Sequence, residues 1–420
     1  MRNKNFIIIV IGQIISLFGN AIQRFSMSLY LLEFTGSTAT FANILAISTI
    51  PYILFAPIAG RLSDNINRKK IMVYLDIFCG TLIGLYSFIL FLNKDSAYIV
   101  GIVMFMLSIC YTLYGPAVTA SIPQVVEEDK LTSANGIINQ VSSVVNFVGP
   151  IIAGILYGIF GIKVIVVVNA ISFIFAAIME MFLDIPDVNK EDKLIKNNKN
   201  KEKVFSLEFI KQSFVDMYHT FKYLSIEKRI VLYIILSYAL CNIFLVPVLS
   251  IIAPYFINIY LGLSSEVYGL VEAVCVLGMI LGGVLISVKP NLFTMKKIHY
   301  TYIPMLFGVI LMIFLPKLGM NSIGIASLFG IGGLGIMLTL AITNVLTLTY
   351  IQKQVPENLL GKVSAFSVAV ATVSVAPGQL LYGQIIEFGI SLSSIFLLTA
   401  IANILLIIYI KANVSNKVIK

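Results

Sequence analysis

Few residues in this 420-residue chain carry chemistry, and several of those stand in apolar runs. Glu272 lies in "LVEAVCVLGMILGG". A carboxylate in such surroundings can bind and release a proton near neutral pH, because desolvation disfavours its charged form. It can equally anchor a cationic ligand, or only partner a nearby hydroxyl or Arg, and these readings stay open. Arg24 is the one Lys or Arg deep inside an apolar segment. A central arginine costs at least about 2.5 kcal/mol by insertion scales, so it is expected to face a wet cavity or an acid. Gln13, Ser16, Asn20 and Arg24 follow one another at helical spacing. At about 100° per residue they share one stripe, expected to line a central cavity. The alternative for Arg24 is a buried hydrogen-bond network with no ligand.

A denser group of charges lies in "GRLSDNINRKK", residues 60 to 70, between two apolar stretches. Cations alone would fix orientation in a membrane. Asp64 beside Arg68, Lys69 and Lys70 can pair with one of these cations, and the alternative is a simple charge run that only fixes orientation. Asp76 follows within two turns and is expected to belong to the same charge network. Further on, Asn139 and Asn146 stand with Ser142 and Gly149 on one stripe, which suits helix packing or cavity lining equally. Cys79, Cys110, Cys241 and Cys275 are scattered singly, with no C-x-x-C pair, and read as small core residues without metal or disulfide. No P-loop, G-x-S-x-G or H-E-x-x-H occurs, which argues against an ATP-driven pump and a membrane hydrolase. No cofactor is expected.

The elements that must hold these residues follow from composition. The chain is 59% hydrophobic and 12% charged, against about 25% charged in soluble domains. Mean hydropathy is +0.96. Lipid is the solvent that accommodates this surface, and lipid requires helices or closed barrels. No period-two alternation marks barrel strands. Twelve helical spans are expected, over 6–32, 39–60, 71–92, 97–122, 133–157, 162–183, 229–261, 265–287, 299–317, 321–350, 360–386 and 391–411. With the N-terminus inside, all of the 29 Lys and Arg except Lys94, Lys163, Lys317 and Arg24 fall at the cytoplasmic face. This follows the positive-inside rule and places both termini in the cytoplasm. The net charge of +9 then faces an anionic leaflet rather than nucleic acid.

Residues 185–228 interrupt the pattern with a Lys- and Asn-rich linker. Ile210, Phe214, Met217, Tyr218 and Phe221 then form one apolar side of an interfacial amphipathic helix. Six spans precede the linker (1–184) and six follow it (229–420). Val126, Glu128 and Leu131 correspond to Val355, Glu357 and Leu360 at a constant offset, and Gly149 and Gly154 correspond to Gly378 and Gly383 at the same offset. The expected fold is an all-α membrane protein of twelve transmembrane helices in two pseudo-symmetric six-helix bundles. Repeats of this kind bind ligand between them near the midplane.

In that setting "GRLSDNINRKK" resembles the G-x-L-a-D-r-x-G-R-[KR]-x loop between spans two and three of the major facilitator superfamily. Gly60, Leu62, Asp64, Arg68 and Lys69 fall on the pattern, and Asn67 replaces its second glycine. "GPIIAG", with Gly149, Pro150 and Gly154, resembles the span-five motif of drug–proton antiporters, with Val145 and Ala153 in place of two glycines. Stretches such as "YLLEFTGS", "PQVVEEDKL" and "VPENLLGKVSAF" are similar to the macrolide-efflux branch. The arginine that many proton-coupled members carry in span four is absent, with Leu107 at the nearest position. The resemblance implies a monomeric secondary transporter in the cell membrane, exporting hydrophobic or amphipathic drugs against proton entry by alternating access. Its partners would be a small-molecule substrate, protons and membrane lipids. It implies that the Gly60–Lys69 cluster is a gating loop. A lipid or siderophore exporter of the same fold is the rival. A membrane enzyme or a non-transporting sensor would need a reactive constellation or a large extramembrane domain, and neither is evident.

Overall fold

The computed structural model describes residues 4–127, 131–185 and 207–418. Regular structure among them is helical: α1 (Lys4–Thr35), α2 (Thr38–Asn65), α3 (Arg68–Phe91), α4 (Ala97–Val125), α5 (Leu131–Glu180), α6 (Leu207–Ile226), α7 (Arg229–Phe244), α8 (Ser265–Val288), α9 (Ile303–Phe314), α10 (Ser322–Gln354), α11 (Glu357–Glu387) and α12 (Leu392–Ile410). Ten stretches of the described residues are long and apolar enough to cross a membrane. One of them, Phe147–Glu180, continues through a break at Gly161 and so joins two crossings. With α2 the expected twelve are complete. Phe182, Val288, Phe307 and Phe388 stand exposed, as lipid-facing side chains do.

Polar residues at the boundaries cap the helices. The side chains of Asn67, Ser96, Asn321 and Ser391 accept hydrogen bonds from the first turns of α3, α4, α10 and α12. Asn67 therefore has a structural task at the position where the motif usually holds glycine. The stretch expected as a connector is mostly helix: α2 runs to Asn65 and α3 begins at Arg68. Charge ends the apolar run there, but it does not end the helix. Gly161, at φ 65° and ψ 179°, occupies a region essentially restricted to glycine. It divides α5 into arms of 131–160 and 162–180.

The chain separates into two compact units, Met1–Leu31 with Ser48–Ser213 and Leu32–Ile47 with Phe214–Lys420. In the first, α1 packs along both arms of α5. A Cβ at Gly149 would meet that of Ala21 at 3.0 Å. Asn169 donates to Gln23 Oε1 at 2.8 Å. Asn5 and Asp184 tie the ends together by two backbone–side-chain bonds, and Tyr30 donates to Asp95.

In the second unit, α8 and α10 meet at backbone distance. A Cβ at Gly278 would overlap the Leu334 carbonyl, and one at Gly282 would lie 2.6 Å from the Leu338 carbonyl. Small residues permit such approaches in membranes, where packing rather than water exclusion drives association. Phe256, Phe329 and Phe396 form a ring cluster. Tyr382 donates to the Phe244 carbonyl at 2.7 Å. Thr38 at the start of α2 donates to the Gly383 carbonyl, and Glu387 accepts from Thr38 Oγ1 and the Ala39 amide. In α6, Leu224 and Met217 pack with Ile235, Ile351, Val363 and Phe366, while Tyr218 and Phe221 remain exposed. The side chains of Ile210 and Phe214 lie outside the described residues.

The internal repeat is visible in matching details. Val126 and Val355 are both C-cap residues in extended conformation. Gly149 faces α1, and Gly378 faces Ile243 of α7.

Candidate functional site

The first unit holds a polar cluster in apolar surroundings. Asp76 reaches it from the middle of α3, and Glu180 from the last residue of α5. Relative exposure is 2% for Asp76 and 0% for Glu180. Ser16 of α1 donates to Asp76 Oδ2 at 3.5 Å. Tyr114 of α4 donates to Glu180 Oε1 at 2.6 Å, and Ser16 lies close enough to act on Tyr114. The second oxygen, Glu180 Oε2, is buried without a hydrogen-bond partner. A Cβ at Gly12 would lie 3.6 Å from Glu180 Oε1, so a glycine here leaves room beside the carboxylate.

Among the described residues, Glu180 and Cys110 act on Asp76, Asp76 acts on Cys79, Tyr111 and Tyr114, and no Lys or Arg acts on Asp76. None is among the groups acting on Glu180 either. Removing two ionised carboxylates from water with no cation to compensate costs on the order of several kcal/mol per ion. Hydrogen bonds from Ser16 and Tyr114 offset part of this. A proton on one carboxylate offsets more, because it removes a charge and supplies a donor.

Ser16, Asn20, Leu75, Asp76, Cys79, Cys110, Tyr111, Tyr114 and Phe173 enclose a cleft of ≈ 210 Å³. That volume includes open solvent, and the room inside is about that of a single water. The Tyr111 hydroxyl, Asn20 Oδ1 and Gln13 Oε1 are buried polar atoms without a hydrogen-bond partner. The cysteines are free thiols.

The structure thus brings Ser16 and Asn20 to Asp76 and gathers Gln13 on the same helix. Asp76 does not join the cations expected to hold it. Lys69 shares its face of α3 but lies two turns away, about 10 Å along the axis. Arg68 instead donates from Nε to the Ser63 carbonyl at 3.0 Å and from Nη1 to the Ala120 carbonyl at 2.6 Å. It joins the end of α2 and the start of α3 to α4. Lys69 is half-buried. The side chains of Gly60, Asp64, Asn139 and Asn146 lie outside the described residues. Arg24 is exposed and acts on Tyr52. Gly149, Pro150 and Gly154 are buried, with Gly149 against α1. Glu272 is half-buried in the second unit, close enough to act on Cys275.

Glu180 and Tyr114 are functional candidates that sequence reasoning missed. "AAIMEMF" does place one acid inside an apolar run. It stands near the end of the expected span 162–183.

Comparison with known proteins agrees with this architecture. The family model described as Major Facilitator Superfamily matches residues 9–379. Macrolide efflux protein A of Streptococcus pyogenes is 30% identical over 175 residues, 42% of this chain and 43% of that protein. Macrolide efflux protein A of Enterococcus faecalis is 29% identical over 137 residues, 33% of this chain and 42% of that protein. The match thus spans less than half the length of these relatives. Among solved structures, a bacterial homologue of the iron transporter ferroportin in an inward-facing state superposes with a TM-score of 0.71 at 16% identity, covering 98% of this chain and 99% of that one. The nucleoside transporter NupG superposes with a TM-score of 0.71 at 13% identity, covering 98% and 99%. At such identity these two share the fold. A family model matched over most of the chain, on a twelve-crossing fold with an internal repeat, identifies a multi-pass membrane transporter, and the chain belongs to the Major Facilitator Superfamily.

Proposed function

We propose that this transporter exports hydrophobic or amphipathic molecules, macrolides among them, in exchange for protons. The observation that carries the reading is the similarity to two proteins named for macrolide efflux. The repeats 1–184 and 229–420, joined by 185–228, alternate access in the cell membrane with both termini in the cytoplasm. One charge crossing 100 mV supplies about 2.3 kcal/mol before any pH difference is added. Glu272 anchors the cationic amine of the substrate. Arg24, with Gln13, Ser16 and Asn20 on its helix, borders the path. The Gly60–Lys69 stretch gates it.

The test is accumulation of a labelled macrolide in inverted membrane vesicles under an imposed inside-acid pH gradient. Uptake above that of vesicles lacking the transporter, collapsed by a protonophore, is expected. Accumulation of a lipid or a siderophore in place of the macrolide would favour the rival export reading. Accumulation indifferent to the gradient would end the proton-driven one.

A further inference from the structure

We propose that Asp76 and Glu180, linked through Ser16 and Tyr114, form the site that carries the coupling proton. The inference rests on the reading of proton-driven export above and gives it an address in the first unit.

Three independent features converge. Both carboxylates are withdrawn from solvent, and no cation among the described residues acts on either. Glu180 Oε2 is buried and unpartnered, an open acceptor. The adjoining cleft has room for about one water, and its walls carry Asp76, Ser16 and Tyr114. A ligand that enters must be small and must bring positive charge. The proton meets both conditions. Three or more acidic, Cys or His side chains grouped to hold a metal are not found among the described residues.

The groups facing the pair come from each element packed against it. Helix α1 offers Gln13, Ser16 and Asn20, none of which titrates. Helix α3 adds Cys79, and α4 adds Cys110, Tyr111 and Tyr114. The second arm of α5 presents Phe173 to the cleft. Ser16 is hydrogen-bonded to Asp76 and Tyr114 to Glu180, and Ser16 lies beside Tyr114, so the four residues form a path for a proton. When Asp76 is protonated and Glu180 ionised, Asp76 gives its proton to Ser16 Oγ. Ser16 passes its own proton to the Tyr114 oxygen, and Tyr114 passes its own to Glu180 Oε1. One proton has then moved, both hydroxyls are regenerated, and Asp76 is the carboxylate. Because α1, α3, α4 and α5 each supply a member, a shift of one helix breaks the relay.

The test uses the full-length transporter and two transport modes. Asp76→Asn and Glu180→Gln are assayed for gradient-driven macrolide accumulation and for macrolide-for-macrolide exchange without a gradient. Driven accumulation is expected to fall at least tenfold in each variant while exchange persists. Tyr114→Phe is expected to slow driven accumulation several-fold. Independently, difference infrared spectra of purified wild-type protein between alkaline and acid pH are expected to show a carboxylic-acid C=O band that Glu180→Gln or Asp76→Asn removes. If a variant fails to fold, the infrared band is assigned with the other variant and with Tyr114→Phe, which should shift it. Driven accumulation at the wild-type level in both variants, or no titrating band, would overturn the proposal. If wild-type protein shows no gradient-driven transport, the export reading fails instead, and the infrared band then decides alone whether the pair binds a proton.

Discussion

Glu180 and Glu272 are both glutamates within apolar helices, and their surroundings distinguish them. Glu180 is sealed beneath α1 and α4 with Tyr114 on one oxygen. Glu272 is half-buried beside Cys275, open enough to meet a ligand. Replacing Glu272 with Gln should raise the KM for a cationic macrolide about tenfold, the loss of roughly 1.4 kcal/mol of binding, and leave a neutral analogue within about twofold. Vesicle uptake kinetics with the two analogues check this, and equal effects on both would remove Glu272 from the anchor role. Arg68 makes a different prediction. Arg68→Ala removes charged donors from the Ser63 and Ala120 carbonyls, and a hydrogen bond to a charged group contributes about 1.5–3 kcal/mol. The detergent-solubilised variant should melt several degrees lower, and an unchanged Tm would contradict this. The sequence marked Asp76, Ser16 and Asn20 as polar residues in spans. It did not join them, because Asp76 meets Ser16 across sixty residues of chain and only packing brings the pair together. Glu180 was overlooked because hydropathy marks where a span ends without showing how deeply neighbouring helices cover that end.

Helices were legible from apolar length, since lipid leaves the backbone few alternatives. Their ends and irregularities were less so. Helix α2 outlasts its apolar run because backbone hydrogen bonds continue through charged residues, and Asn67 then caps α3. The continuation of α7 as π-helical turns at Val248–Ile252 and Tyr255–Tyr260 follows Pro247 and Pro254, where a missing amide disturbs the regular ladder. Close helix contact gives a sharp prediction. Gly278→Ala would press a methyl group onto the Leu334 carbonyl, and overpacking of this kind costs about 1–3 kcal/mol. Gly283 has open space at its Cβ position, so Gly283→Ala should leave the melting temperature nearly unchanged. Thermal unfolding of the two variants side by side separates local packing from a general intolerance of alanine in α8.

At the scale of the whole molecule, the constant offset between halves was the most informative sequence signal. It relates the caps at Val126 and Val355 and the close approaches of Gly149 and Gly378 to the first helix of each repeat. It could not reveal the buried Asp76–Glu180 pair of the first repeat, because motif similarity records shared packing and the pair lies outside the matched motifs. In the proposal above, the coupling proton lies within the first repeat. Gradient-driven macrolide accumulation in inverted vesicles, compared between wild type and Glu180→Gln with exchange measured in parallel, tests this most directly. Loss of driven accumulation with exchange retained is the predicted result. Full driven accumulation without the Glu180 carboxylate would contradict it.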